Sequence, residues 1–99
     1  MNIHVDLNGD QLMARPEGRL DTGTSPELLE KVGPKLENVS TLILDFQDVD
    51  YISSAGLRVL LNFEQIMEDK GGMMELHHVS DIVRDVFDIT GFLDFMNIK

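Results

Sequence analysis

The sequence contains no cysteine and no long apolar run. Without cysteine, the chain has neither a disulfide framework nor a thiolate nucleophile. None of its apolar runs approaches the ~20 residues that a membrane-spanning helix needs. The N-terminal stretch from Met1 to Asp6 lacks the basic and apolar blocks of a signal peptide. We therefore expect a cytoplasmic protein.

Basic residues are also scarce. The chain has 8 lysines and arginines against 18 aspartates and glutamates, which gives a formal net charge of −10 on 99 residues. Binding to nucleic acid or to an anionic membrane surface requires clustered basic residues, so we expect neither as a partner. The charge is suited to steering toward a basic protein surface, and it is equally consistent with a simple contribution to solubility.

Common enzyme motifs are missing as well. The glycines form neither a dinucleotide-binding motif nor a phosphate-binding loop. His77 and His78 are adjacent on a predicted strand and so face opposite ways, and no histidine base stands near a candidate serine nucleophile. Asp45, Asp48 and Asp50 are suited either to a Mg²⁺ site or to shaping a turn, and we favour the turn. We expect no enzyme activity, no metal and no cofactor.

The sequence does contain a regular alternation of strand and helix patterns. Apolar or alternating segments predict strands at residues 3–7, 12–14, 42–44, 73–79 and 92–98. Helical spacing predicts helices that begin near residues 24, 54 and 80. Turn residues at 8–10 make the first two strands a β-hairpin. Because Pro16 cannot donate to a ladder, we expect the second strand to lie at an edge or to end there.

Several boundaries can be assigned more closely. Thr24 with Glu27 resembles a capping box, and Pro34 predicts a kink or an early stop near Gly33. Glycines 71 and 72 stop the second helix, and the third runs from a Ser80 cap to Gly91. The run at 42–44 is typical of a strand buried on both faces, whereas 18–22 and 48–53 are interpreted as loops.

The predicted element order is therefore ββαβαβα with a terminal strand. Helices between strands imply right-handed crossovers and a mostly parallel sheet. The prediction is an α/β fold in which an N-terminal hairpin joins this sheet and the helices pack on it.

Two adjacent serines, Ser53 and Ser54, stand where the second helix begins. One interpretation is that they cap the helix; the other is that one of them is a chemical target. The helix that follows is apolar over more than half of its circumference, beyond what one sheet needs. The excess predicts either a covering helix or a partner groove.

These features resemble the STAS-domain proteins, specifically the stand-alone anti-sigma factor antagonists of bacteria. The stretch 51–57, Tyr-Ile-Ser-Ser-Ala-Gly-Leu, is similar to the phosphorylation loop of that family. The stretches 18–21, 42–46, 71–72 and 88–92 resemble its other landmarks in the right order. We expect one STAS domain over residues 1–99, in which the C-terminal helix of many relatives is lacking or shortened.

The resemblance implies a function and a site. In the family, a serine at the start of this helix is phosphorylated by the anti-sigma factor, a serine kinase with a GHKL-type ATP site, and a PP2C-type phosphatase reverses the modification. Counting back two residues from Gly56 makes Ser54 the expected acceptor, with Ser53 as the runner-up. A STAS module of another assembly, such as a lipid-transport complex or a signalling scaffold without serine phosphorylation, is the alternative.

The partner is expected to dock around Ser54. The segments 18–22 and 48–53 and the first turns of the second helix should lie at one end of a parallel sheet. The residues expected in this docking face are Gly18, Arg19, Asp21, Thr22, Asp50, Ser53, Ala55, Gly56 and Arg58. Asp21 is the expected polar contact near Ser54.

Overall fold

The computed structural model describes all residues from Met1 to Lys99. The strands are β1 (Ile3–Asn8), β2 (Gln11–Pro16), β3 (Gly18–Leu20), β4 (Thr41–Asp45), β5 (Val49–Ile52) and β6 (Met73–His77). The helices are α1 (Ser25–Val32), α2 (Ser54–Asp69) and α3 (Asp81–Thr90), with 3₁₀ turns at Gly33–Lys35 and Phe92–Asp94. None of the helices has the length and apolarity needed to cross a bilayer.

The larger sheet has the order β1-β2-β4-β6. The β1–β2 hairpin is antiparallel, and both β2–β4 and β4–β6 are parallel, which confirms the mostly parallel sheet with an N-terminal hairpin. Leu12, Leu42 and Met74 occupy matching register positions and are buried under the helices. β2 is an interior strand, and it ends at Pro16 as expected.

The central strand β4 is fully buried on one face only. Leu42 and Leu44 are completely covered, but Thr41, Ile43 and Asp45 on the other face are half-buried. The prediction of a strand buried on both faces was therefore wrong. A run of three apolar residues does not reveal whether a second layer covers the sheet, and all three helices leave this face open.

A second, two-stranded sheet replaces two predicted loops. β3 and β5 pair in parallel, with Leu20 opposite Ile52 and Arg19 opposite Tyr51. Leu20, Val49 and Ile52 are buried in the main core, so these segments are core strands. They were missed because three or four residues are too few to display a period of two.

The first helix begins differently from the prediction. Thr24 makes no side-chain cap bond to α1, so the capping box is wrong. Its hydroxyl instead donates to the Arg19 carbonyl and accepts from the Asp21 amide. The early stop is confirmed, because α1 ends at Val32 and Gly33–Lys35 tightens into a 3₁₀ turn at Pro34.

The C-terminal segment is also different from the prediction. Gly91 ends α3 in the left-handed conformation with φ 81°, as expected. Phe92–Asp94 then forms a 3₁₀ turn, where Phe92 stacks on Phe87 with ring centroids 6.4 Å apart. Only Ile98 pairs with the sheet, through an isolated parallel bridge to Leu76. The predicted strand at 92–98 was therefore wrong for most of its length, because aromatic packing holds the chain in a turn.

Candidate partner-docking site around Ser54

Ser54 is the first residue of α2, directly after β5 and the extended residue Ser53. Its side chain is exposed to solvent, whereas Ser53 is half-buried and the Ser53 Oγ is inaccessible, with no hydrogen-bond partner. The two serines therefore differ sharply in accessibility, although they are adjacent in sequence.

The N-terminus of α2 has no side-chain cap. Ser53 makes no cap bond, whereas at α3 the equivalent Ser80 Oγ accepts a hydrogen bond from the Val83 amide at 3.3 Å. The first intrahelical bond of α2 runs from the Leu57 amide to the Ser53 carbonyl. The amides of residues 54–56 thus have no partner within the protein. The capping interpretation of Ser53 and Ser54 is wrong for both side chains.

The small sheet fixes this helix end in place. The Ser53 amide donates to the Leu20 carbonyl at 2.8 Å. Gly56 is buried against the same strand: a Cβ there would lie 2.6 Å from the Ile52 Cγ1 and 3.0 Å from the Leu20 Cβ. The backbone of Gly56 has an ordinary helical conformation. Glycine is therefore required at this position because a Cβ has no space there, and not because of its φ angle. Gly56 is too enclosed to touch a partner, and its role is to seat α2 on β3.

Asp21 organises the turn between β3 and α1. Its Oδ1 accepts hydrogen bonds from the amides of Gly23 at 2.9 Å and Thr24 at 3.0 Å. The bond from the Thr24 backbone is the main reason that the pKa of Asp21 lies below 3.8, and the Thr24 hydroxyl, the Gly23 amide and the Arg19 charge lower it further. Asp21 is therefore an ionised carboxylate that holds the turn in shape.

The arginines of the region differ in their surroundings. The Arg19 guanidinium lies 4.3 Å from the centre of the Tyr51 ring, a cation–π contact across β3 and β5. Arg15 lies 3.6 Å from the Asp48 carboxylate. Arg58, one turn into α2, is exposed and has neither kind of partner.

A groove of about 290 Å³ runs between the first turns of α1 and α2. Its lining combines predicted docking residues with others; the full set is Thr22, Ser25, Pro26, Leu29, Ala55, Arg58, Val59 and Asn62. The Ser25 Oγ in this lining is buried and has no hydrogen-bond partner. No sequence pattern places Ser25, Pro26, Leu29 or Asn62 in this groove, because their position there depends on how α1 and α2 pack.

The structure brings most of the predicted docking residues together. Thr22, Ala55 and Arg58 share the groove, Asp21 adjoins Thr22, and backbone pairing joins Gly18 and Arg19 to β5. Asp50 is exposed on β5, and no side-chain contact links it to the others. The excess apolar surface of α2 is mostly covered by neighbouring elements, α1 among them, but Leu61 remains 46% exposed beside a second groove that Arg58 also lines.

The three histidines and Asp45 do not line the groove. Asp45 ends β4, accepts the Gln47 amide and pairs with His78 at 2.9 Å, so it shapes a turn. Burial alone would raise the pKa of Asp45, but the bonds from His78 and the Gln47 amide hold it below 3.8. His77 pairs with Glu75, and His4 with Glu17.

The structure thus combines a mixed sheet covered by helices with an exposed serine at an uncapped helix end, beside a groove. Residues 2–99 match the STAS domain family, and the chain belongs to that family. It is 33% identical to the anti-sigma-B factor antagonist of Bacillus subtilis, over 100% of this chain and 93% of that protein. It is 29% identical to the putative anti-sigma factor antagonist BtrV of Bordetella bronchiseptica, over 99% of this chain and 85% of that protein.

Solved structures share the fold. The unphosphorylated form of the anti-sigma factor antagonist SpoIIAA superposes with a TM-score of 0.84 at 22% identity, covering 99% of this chain and 88% of the other. The phosphorylated form of SpoIIAA from Bacillus gives 0.77 at 21% identity, covering 99% and 91%. The two relatives and the first of these structures are described as anti-sigma factor antagonists.

Proposed function

We propose that this protein is a phosphorylation-switched anti-sigma factor antagonist. In the proposal it binds an anti-sigma factor serine kinase of the GHKL type in the cytoplasm while Ser54 is unmodified, and so frees a sigma factor or an equivalent effector. The exposed Ser54 at the uncapped start of α2 is the observation that carries the proposal. The names of the curated relatives support its coarser part, anti-sigma factor antagonism.

Accessibility favours Ser54 over Ser53 as the acceptor. A kinase must place the γ-phosphate of ATP beside the hydroxyl that it modifies, and the Ser53 Oγ is inaccessible in the fold. Ser54 is exposed, and the free amides of the first turn of α2 are suited to an anion. The phosphate therefore needs no rearrangement of the backbone to be accommodated.

The transfer itself needs a base from the kinase. The new bond joins the Ser54 Oγ to the γ-phosphorus, the bond from that phosphorus to the β–γ bridging oxygen breaks, and ADP leaves. The serine proton has to pass to a base. All three histidines are engaged with carboxylates away from this helix end, so this chain offers no imidazole for the step.

Phosphate on Ser54 is expected to act on binding rather than on folding. It adds about −1.5 to −2 charges at neutral pH. At a helix N-terminus that charge is favourable, but inside a docked interface it is desolvated and repels neighbouring acids. The modified protein should leave its partner, and a PP2C-type phosphatase would restore the binding form.

Mapping the modified residue tests the acceptor. The protein is incubated with ATP and its cognate anti-sigma factor kinase, and the phosphopeptide is sequenced by mass spectrometry. We expect phosphate on Ser54 in the native protein and in Ser53→Ala, and none in Ser54→Ala. Phosphate on Ser53 alone would contradict the assignment, and no phosphate on either residue would favour a STAS module of another assembly.

Asp21 is the proposed polar contact of the docking face, beside its role in the turn. Asp21→Ala should weaken both binding to the kinase and phosphorylation of Ser54. Asp85→Ala is the control for the loss of one negative charge, because Asp85 is an exposed acid on α3, outside the docking face, and its side chain forms no hydrogen bond or ion pair. Unchanged binding and phosphorylation in Asp21→Ala would remove Asp21 from the interface.

A further inference from the structure

Arg58 is the only arginine or lysine of the docking face without a partner in the protein. The Arg19 guanidinium packs on Tyr51, and Arg15 behind the face pairs with Asp48. Arg58 is exposed, forms no ion pair or cation–π contact, and lines the grooves on both sides of the outer surface of α2. A free cation at this position, in a chain of formal charge −10, needs an explanation.

The helix places Arg58 over Ser54. The two residues are four positions apart on α2, and side chains so spaced lie on the same face one turn apart. Side chains of a helix lean toward its N-terminus, so a long residue covers the turn before its own Cα. The acidic group is also on the N-terminal side of the basic one, which is the more favourable order for such a pair.

We propose that Arg58 binds the phosphate on Ser54 within the same helix. This inference rests on the proposed function, since it concerns the modified state of that site. The guanidinium can donate two parallel hydrogen bonds to phosphate oxygens, and the amides of residues 54–56 donate from the other side. The start of α3 does not offer the same set of free amides, because the Val83 amide there already donates to the Ser80 hydroxyl.

The consequence is that phosphorylation changes the docking face in two ways. It adds negative charge at Ser54, and it withdraws the one free cation from the rim of both grooves. An acidic group of the partner that Arg58 could neutralise in the unmodified protein then has no counter-charge. Arg58 therefore acts in both states of the switch: it faces the partner in the unmodified protein and binds the phosphate in the modified one.

The test needs no kinase. Phosphoserine is incorporated at position 54 during translation, and the second ionisation of the phosphate is followed by ³¹P NMR at low salt. In Arg58→Gln the phosphate should titrate about 0.2–0.4 higher on the pH scale than in the otherwise native protein, as an i,i+4 ion pair predicts. The Arg58 Nε–H signal should shift when the phosphate is present.

Arg84→Gln is the matched control. Arg84 is an exposed arginine four residues after a helix-start serine, Ser80, so the variant has the same net charge and the same kind of substitution. It should leave the titration unchanged. Equal titration of Arg58→Gln and the native protein would overturn the proposal, and so would an equal shift in Arg84→Gln. Because the phosphate is installed directly, this failure is distinct from a kinase that modifies another residue.

Discussion

Gly56→Ala probes the contact that seats α2 on β3. The added methyl carbon would lie 2.6 Å from the Ile52 Cγ1, 3.0 Å from the Leu20 Cβ and 3.1 Å from the Leu20 carbonyl oxygen. Leu20 and Ile52 are 0% and 1% exposed, so neither has space into which to move, and one contact is with backbone. Relief requires α2 to shift away from β3.

Two opposing effects set the magnitude. Replacing glycine by alanine inside a helix stabilises the helix by about 1 kcal/mol. Forcing an extra methyl group into a packed core costs about 1–3 kcal/mol, and the backbone contact places this site toward the upper part of that range. The clash therefore outweighs the helix propensity, and we expect a net loss of about 1–2 kcal/mol. For a chain of 99 residues this corresponds to a melting temperature about 5–15 °C lower.

Thermal and urea unfolding followed by circular dichroism measure the effect. Gly23→Ala is the matched control, since its Cβ would meet only the Asp21 Oδ1 at 3.5 Å, an ordinary contact. That variant should be as stable as the native protein or slightly more stable. A Gly56→Ala protein that melts at or above the native temperature would refute the account of the close approach. If the account holds, the variant should also bind the kinase more weakly, because Ser54 moves with α2.

Two further predictions concern charged residues. Burial raises the pKa of Glu64, and the charge of Glu68 one turn away raises it further. The ionised form of Glu64 is therefore disfavoured in the folded state. Glu64→Gln should stabilise the protein at pH 7, by about 0.2–0.5 kcal/mol from removal of the repulsion between Glu64 and Glu68 alone. That gain should shrink as the pH falls through the raised pKa, and a Glu64→Gln protein less stable than the native one at pH 7 would contradict it. The folded-state pKa of Asp21 is instead lowered, mainly by the Thr24 amide, so its stabilisation is present above pH 3.8 and lost as the pH falls through the lower folded-state value. Asp21→Ala should accordingly lower the melting temperature at pH 7 and have a smaller effect below pH 3.8; an equal effect at both would show that the carboxylate charge is not involved.

The sequence was sufficient for the elements with a long or repeated pattern. The hairpin, β4, β6, α2 and α3 were predicted near their observed positions because each has an apolar period or a terminating glycine. β3 and β5 have neither, and their strand conformation comes from pairing with each other and from burial of Leu20, Val49 and Ile52. Thr24 was misassigned because its hydroxyl accepts from the Asp21 amide and donates to the Arg19 carbonyl, and does not accept from an amide of α1.

The candidate site was predictable in part. Ser54 was placed by its distance from Gly56, and the structure puts it at the start of α2, exposed. That the Ser53 Oγ is inaccessible and Ser54 is exposed could not be read from two adjacent serines, since it depends on how β5 meets the helix. The groove depends on the packing of α1 against α2, which no local pattern encodes.

Isothermal titration with the anti-sigma factor kinase tests the central claim most directly. The titrated proteins are the native form, Ser54→Ala, Ser54→Asp and the form with phosphoserine at position 54, and thermal melts confirm that each is folded. Native protein and Ser54→Ala should bind alike. A charge at position 54 should weaken binding by about 2–5 kcal/mol, or roughly 30- to 5,000-fold, while it leaves the fold intact or stabilises it by about 0.3–1 kcal/mol. Equal affinity of the native and phosphoserine forms, with both folded, would contradict the switch.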